Sequence, residues 1–244
     1  MKLISRLRGK IVRSVVRYGV VGSVVHITTW PWRAMQQFTP RGRMGQAAVL
    51  EQSARFDREF GVDTGGQLGL ATLDIAGGNR DHGEFYFGSD PALVREVLAA
   101  LPIAYEDFAF VDYGSGKGRV LLLASEFPFK FIVGVEFAAE LHHVCCANLK
   151  THRNPASLCQ DIRPIHQDVV TFDPPDEPLV LYFFNPFDRV IFDAVIARLD
   201  ASLRRHPRPV WIVYNNPKDL HSLESSPFLE EVSRTPEYRI YKSR

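Results

Sequence analysis

Along the second half of the chain, apolar positions gather into short unbroken runs, and each run is followed by a stretch with helical periodicity. Phe108-Ala109-Phe110-Val111, Phe131-Ile132-Val133-Gly134-Val135, Ile162 to His166, Leu179 to Phe184 and Val210 to Tyr214 are too short for helices and read as strands. The intervening segments predict helices over about 91–100, 119–126, 138–150 and 188–205. Asp90 is placed to cap the first of these, with Pro91 in its first turn. In the last, Val190, Ile191, Ala194, Val195 and Leu199 mark one apolar side. Strands that alternate with helices predict an α/β domain: a doubly wound, mostly parallel sheet with right-handed crossovers and helices on both faces. Residues 228–234, a Thr235-Pro236-Glu237 turn and residues 238–243 read instead as an antiparallel hairpin.

The beginning of the chain follows another rule. Ile4, Leu7, Ile11 and Val15 keep helical spacing while Arg6, Lys10, Arg13 and Arg17 line a different face, which predicts a basic amphipathic extension over residues 1–38. Two readings stand for it. Either the Ile/Val face packs on the domain and the arginines stay solvated, or the basic face makes a weak contact with a membrane surface or nucleic acid. The lack of clustered bulky aromatics favours the first. Residues 39–90, with Thr64-Gly65-Gly66-Gln67 and a second glycine-bearing stretch from Ala76 to Gly83, read as a loop-rich lid or substrate wall. Residues 91–244 form the α/β domain.

Composition sharpens this division. The chain has 244 residues, 45% of them hydrophobic, enough for one large core and too many for a disordered polymer. The net charge is only +1, but nine of the 29 basic residues lie within 1–50, which hold no acid, so the remainder carries 20 basic against 28 acidic side chains. Cys145, Cys146 and Cys159 are too few and too awkwardly spaced for a disulfide framework, and a reducing compartment is expected. Ile11 to Trp30 is broken by Arg13, Arg17 and His26, so neither a transmembrane helix nor a secretory signal is expected, and the location expected is cytoplasmic.

Chemistry concentrates at the ends of the predicted strands. Val111-Asp112-Tyr113-Gly114-Ser115-Gly116-Lys117-Gly118-Arg119 joins the first strand to its helix. Glycines there let a ligand approach the backbone, and free N–H groups at the helix start favour a polar or anionic group. The spacing is G-x-G-x-G. A dinucleotide fingerprint asks for G-x-G-x-x-G, and the phosphate loop needs G-x-x-x-x-G-K-[ST], which Gly114 to Lys117 cannot supply. Glu136 ends the second strand, where an acid accepts both ribose hydroxyls of a nucleoside, and Asp168 follows the third, where a carboxylate meets an adenine amino group. His142, Cys145 and Cys146 have metal-pair spacing on a helix, but a buried face explains them better and no metal is expected.

The run FVDYGSGKGRVLLLASEFPFKFIVGVE resembles the first two motifs of the class I, seven-strand S-adenosylmethionine-dependent methyltransferases, in the D-x-G-S-G-x-G-R and G-V-E forms of protein-lysine methyltransferases and related bacterial members. The resemblance covers about 90–244. It implies strand order 3-2-1-4-5-7-6 with the last strand antiparallel, and S-adenosyl-L-methionine as cofactor. By position, Asp112 with Gly114, Ser115, Gly116 and Gly118 would hold the methionine part, Glu136 the ribose and Asp168 the adenine, with Phe137 flanking the ring. Tyr86 is the residue chosen for a segment closing over the cofactor. Asn185-Pro186-Phe187 resembles the [DN]-P-P-[YF] signature of nitrogen methyltransferases with one proline missing, and implies transfer to nitrogen, less readily to oxygen, of a protein or small-molecule acceptor. Tyr182, Asp188, His82 and Glu84 are candidates for proton removal. Rival readings are a nicotinamide-dependent dehydrogenase, disfavoured by the glycine spacing, and a catalytically silent nucleoside-binding adapter acting through the basic arm.

Overall fold

Every apolar run named above is a strand. In a computed structural model of the chain, which describes residues 51–68, 83 and 86–244, the strands are β3 (Ala109–Tyr113), β4 (Phe131–Glu136), β5 (Ile162–His166), β6 (Leu179–Phe184), β7 (Val210–Asn215), β8 (Leu229–Arg234) and β9 (Tyr238–Ser243). They form one sheet in the order β5-β4-β3-β6-β7-β9-β8. Counted among themselves this is 3-2-1-4-5-7-6. The first five are parallel and β9 runs antiparallel to both its neighbours, as the resemblance implied. Two residues each of β1 (Gln67–Leu68) and β2 (Tyr86–Phe87) make a separate antiparallel ribbon.

Apart from Asp112 and Glu136, strands β3, β4 and β6 are apolar without alternation because both of their faces are covered. Val111, Val133, Leu181 and Ile212 pack on one face beneath helix α5 (Arg189–Arg205), through its Ile191, Val195 and Leu199. Phe110, Ile132, Val180 and Val213 pack on the other, beneath α2 (Pro91–Ala99), α3 (Arg119–Ala124) and α4 (Ala139–Thr151). A side chain such as Leu121 or Ile132, with no exposed surface, contributes about 1.5–3 kcal/mol by leaving water. Edge strand β5 is only half buried and tolerates Pro164, which a central strand would not.

Helix ends follow their caps. Asp90 accepts a hydrogen bond from the Ala92 N–H at 2.9 Å with Pro91 in the first turn, and Asp188 accepts one from Val190 at 3.0 Å. Three readings need correction. Val190 is 46% exposed, because the buried stripe runs through Ile191, Val195 and Leu199 and leaves it to one side. The helix expected over 119–126 stops at Ala124. Within the segment read as loop-rich, residues 52–60 are helical (α1), anchored by Phe56 and Phe60 at i,i+4 spacing. A short helix α6 (His221–Glu224) precedes β8.

The chain divides into two compact units, Met1–Glu51 and Gln52–Arg244, and the sheet belongs to the second. The basic amphipathic helix expected within residues 1–38, and the candidates His82 and Glu84, lie outside the described residues. Among the described residues no helix is long and apolar enough to cross a membrane.

Candidate active site

Parallel pairing sends the carboxyl ends of five strands to one edge of the sheet, and the predicted site residues stand along it. In register, Asp112 of β3 lies between Gly134 of β4 and Tyr182 of β6. The turn after β3 is fixed by backbone bonds, since the N–H groups of Gly114 and Ser115 both donate to the Val135 carbonyl, at 2.9 and 3.1 Å. Gly114 and Gly116 have φ of 84° and 53°, the left-handed region that suits glycine. Close approach enforces the same choice. A Cβ on Gly114 would sit 2.6 Å from the Pro186 side chain, and one on Gly116 would sit 2.3 Å from the Tyr86 ring.

Glu136 braces this turn. One carboxylate oxygen accepts the Gly116 N–H at 2.8 Å and the other the Ala138 N–H at 2.9 Å. Each oxygen keeps a further lone pair, so a ribose diol has two acceptors on a pre-set carboxylate. Burial raises the pKa of Glu136, opposed by these hydrogen bonds. Asp112 is also buried, and burial together with the charge of Glu136 holds its carboxyl well above the usual carboxylate range. Two carboxyls that resist ionisation in one site form an environment that a cation would relieve.

Two adjoining cavities open there. The first is lined by Tyr86, Ser89, Asp112, the turn from Gly114 to Gly116, Arg119, Glu136, Phe137 and Asn185-Pro186. The second takes in Asp168, Val169, Phe187 and Ile191, and shares Gly114, Phe137 and Pro186 with the first. Asp168 arrives because the β4–β5 ladder is extended by Gln167 N–H donating to the Glu136 carbonyl at 2.9 Å. Its Oδ1 accepts the Val170 N–H at 3.0 Å. Gly83 forms a backbone bridge with Phe187 and lines the second cavity, and the Tyr86 hydroxyl, whose ring lines the first, donates to the Thr64 carbonyl at 2.6 Å.

Asn185 is buried at φ 45°, outside the ordinary range of a residue with a side chain, and the Tyr214 hydroxyl lies 3.5 Å from its Oδ1. The structure therefore brings together Tyr86, Asp112, Gly114, Ser115, Gly116, Glu136, Phe137, Asn185 and Pro186 around the first cavity, with Asp168 and Phe187 around the second.

Three sequence candidates among the described residues, Gly118, Tyr182 and Asp188, line neither. Gly118 lies against Cys145, where an added Cβ would come 2.6 Å from the thiol sulfur. Tyr182 is fully buried, its hydroxyl accepts from Asn215 Nδ2 at 2.8 Å, and burial raises its pKa. Asp188 is engaged in capping α5.

Sequence reading missed Arg119, Ser89 and Phe184 as lining residues. For Arg119 the signal was present, since it directly follows the last glycine of the turn. His142 Nε2 lies 3.5 Å from Cys146 Sγ, but no group of three or more His, Cys, Asp or Glu side chains able to hold a metal ion occurs among the described residues.

No protein-family model and no curated protein matches the chain. Solved structures are similar in fold. An RNA methyltransferase from Salinibacter ruber, in complex with S-adenosyl-L-homocysteine, is 19% identical over 62% of this chain and 89% of its own, with a TM-score of 0.41. A predicted N6-adenine-specific DNA methylase from Listeria monocytogenes is 13% identical over 64% of this chain, with a TM-score of 0.48, and the match spans about half of that protein, 51%. A ribosomal protein L11 methylase from Lactobacillus delbrueckii subsp. bulgaricus is 16% identical over 70% of this chain and 83% of its own, with a TM-score of 0.43.

Proposed function

We propose that the protein is an S-adenosylmethionine-dependent methyltransferase that transfers a methyl group to a nitrogen of a protein or small-molecule acceptor. One observation carries this reading: the glycine turn, the Glu136 carboxylate and Asp168 converge on two joined cavities whose shared wall is Gly114, Phe137 and Pro186. The fit to the cofactor is specific. Glu136 offers two anchored oxygens to a diol, and Phe137 and Val169 offer apolar surface to a purine beside Asp168. Asp112 offers a buried carboxyl to a cation.

When bound, the cofactor supplies a methyl already activated by its positive sulfur. Its adenosyl part would be held by Glu136, Phe137 and Asp168 and its amino-acid part by Asp112 and the glycine turn, leaving the methyl to be taken by an acceptor lone pair. The chain has to align the acceptor, an effect that supplies up to about 7–11 kcal/mol. Asn185 suits that task, because its buried amide adjoins Gly114 through Pro186, and the amide oxygen accepts a hydrogen bond from the attacking N–H. An alkyl amine with pKa near ~10 must also lose a proton before attack. Of the four residues the sequence offers for that step, burial raises the pKa of Tyr182 and Asp188 caps α5 through its Oδ1, while His82 and Glu84 lie outside the described residues.

Isothermal calorimetry with S-adenosylmethionine, S-adenosylhomocysteine and NAD tests the cofactor. The sulfur nucleosides are expected to bind and NAD to give no signal, and tight NAD binding without response to either would sink the reading. A labelled methyl donor with cell extract then tests transfer. Label is expected in protein or small molecules for the native enzyme, and the Asn185→Ala variant is expected to transfer much more slowly while binding cofactor normally.

A further inference from the structure

An asparagine amide turns about a broad, two-fold terminal torsion, so it keeps one plane only where a neighbour fixes it. Asn185, the residue expected to align the acceptor, is buried and stands at φ 45° just past the end of β6. The neighbour is Tyr214. Strands β6 and β7 are parallel and pair Phe183 with Tyr214, which places the tyrosine beside the strand end that carries Asn185. Its ring is held by two others. It stacks on Phe192 of α5, with centroids 5.1 Å apart and 26° between the planes, and meets Phe183 edge-on at 6.4 Å. A ring fixed in this way aims its hydroxyl in one direction, and the hydroxyl donates to Asn185 Oδ1 at 3.5 Å. That separation is the long end of the hydrogen-bond range, and such bonds are often long in unliganded sites and tighten when substrate binds.

Packing accounts for the ring but not for its oxygen. A phenylalanine would fill the same place, and Tyr214 is only 1% exposed, where a hydroxyl costs free energy unless it is hydrogen-bonded. An amide oxygen has two lone pairs. With one taken by Tyr214, the other has a set direction. We infer that Tyr214 is a positioning residue: its hydroxyl holds the Asn185 amide so that the remaining lone pair faces the acceptor N–H in the first cavity. Tyr214 lines neither cavity, so it acts through Asn185, which lines the first, and not by touching a ligand. This deepens the methyltransferase reading and rests on it.

The test takes two measurements on the full chain, with Tyr214→Phe as the variant because it keeps the ring and its packing. The first is the side-chain amide signal of Asn185 in the NMR spectrum of nitrogen-labelled protein, identified by its absence from Asn185→Ala. Tyr214→Phe is expected to shift that signal while leaving affinity for S-adenosylhomocysteine unchanged, and an unmoved signal overturns the inference. The second is transfer from a labelled methyl donor into cell extract. Tyr214→Phe is expected to slow it about tenfold or more, since a small misplacement in an aligned site costs up to about a hundredfold. In the Asn185→Ala background it is expected to slow transfer no further, because a residue that acts through another adds nothing in its absence. A residue that only supports packing would slow both backgrounds by the same factor or weaken S-adenosylhomocysteine binding, and either result overturns the inference, as does transfer by Tyr214→Phe at the native rate. Where Asn185→Ala leaves no measurable rate, the amide signal decides. If the native protein transfers no label, the methyltransferase reading falls and this inference with it; with native transfer intact, the variants judge the inference alone.

Discussion

Asp112 shows how a functional residue opposes the fold that holds it. Burial and the neighbouring charge of Glu136 raise its pKa, so the folded state holds the proton more tightly than the unfolded chain does. The stability cost is therefore absent at acid pH, below the ordinary carboxylate range, and grows as pH rises from that range toward the raised value. Asp112→Asn cannot ionise, and at neutral pH it is expected to stabilise the unliganded protein by about 0.5–2 kcal/mol. It should also lose cofactor affinity by about 1.5–3 kcal/mol, the strength of a hydrogen bond to a charged group. Urea unfolding and calorimetry measure the two effects, and a variant that is both less stable and still binds would contradict the assignment. In the native protein a cationic ligand favours the ionised carboxyl, so affinity for S-adenosylmethionine should rise with pH through the Asp112 titration and binding should release protons. The heat of binding would then vary with the ionisation enthalpy of the buffer, and heats independent of buffer would count against the link. Asp112 and Glu136 were legible in the sequence because their positions follow from strand ends. For Arg119 the place was legible, directly after the last glycine of the turn, but not its setting, because its partners Ser53, Thr64 and Ser89 lie 66, 55 and 30 positions away and no local pattern announces them.

At the scale of elements, the strands were legible for a simple reason: a strand buried on both faces is apolar along almost its whole length, and β3, β4 and β6 are, apart from Asp112 and Glu136. Helix α1 was not, because two phenylalanines are its only buried large apolar anchors and polar ties to other segments complete its seating. The ribbon of β1 and β2 is two residues a side, below the length at which alternation signals a strand. Its placement over the glycine turn leads to a definite expectation. Gly116→Ala puts a Cβ into a left-handed residue and 2.3 Å from the Tyr86 ring, so it should cost about 1–2 kcal/mol in backbone strain and a further amount by displacing Tyr86. Adding Tyr86→Ala should recover the second part and leave the first, so the two substitutions are expected to be non-additive in thermal unfolding. Strictly additive losses would show that Tyr86 does not cover the turn in solution.

For the molecule as a whole, the cofactor reading makes stability depend on ligand. A compound that binds only the folded state at a hundred times its Kd adds about 2.7 kcal/mol, which raises the melting temperature of a protein this size by roughly 5–10 °C. S-adenosylhomocysteine is expected to give such a shift and NAD none, and a flat melting curve with both would leave the convergence of strand ends without a ligand. The order of the sheet has a separate effect during synthesis. Of the seven strands, the one made last, Tyr238–Ser243, lies between β7 and β8. Until it has left the ribosome, β7 presents a bare edge and Leu229–Arg234 has no partner, so the nascent chain passes through a stage with exposed backbone donors and acceptors, the form most open to chaperone capture or to mispairing with another copy.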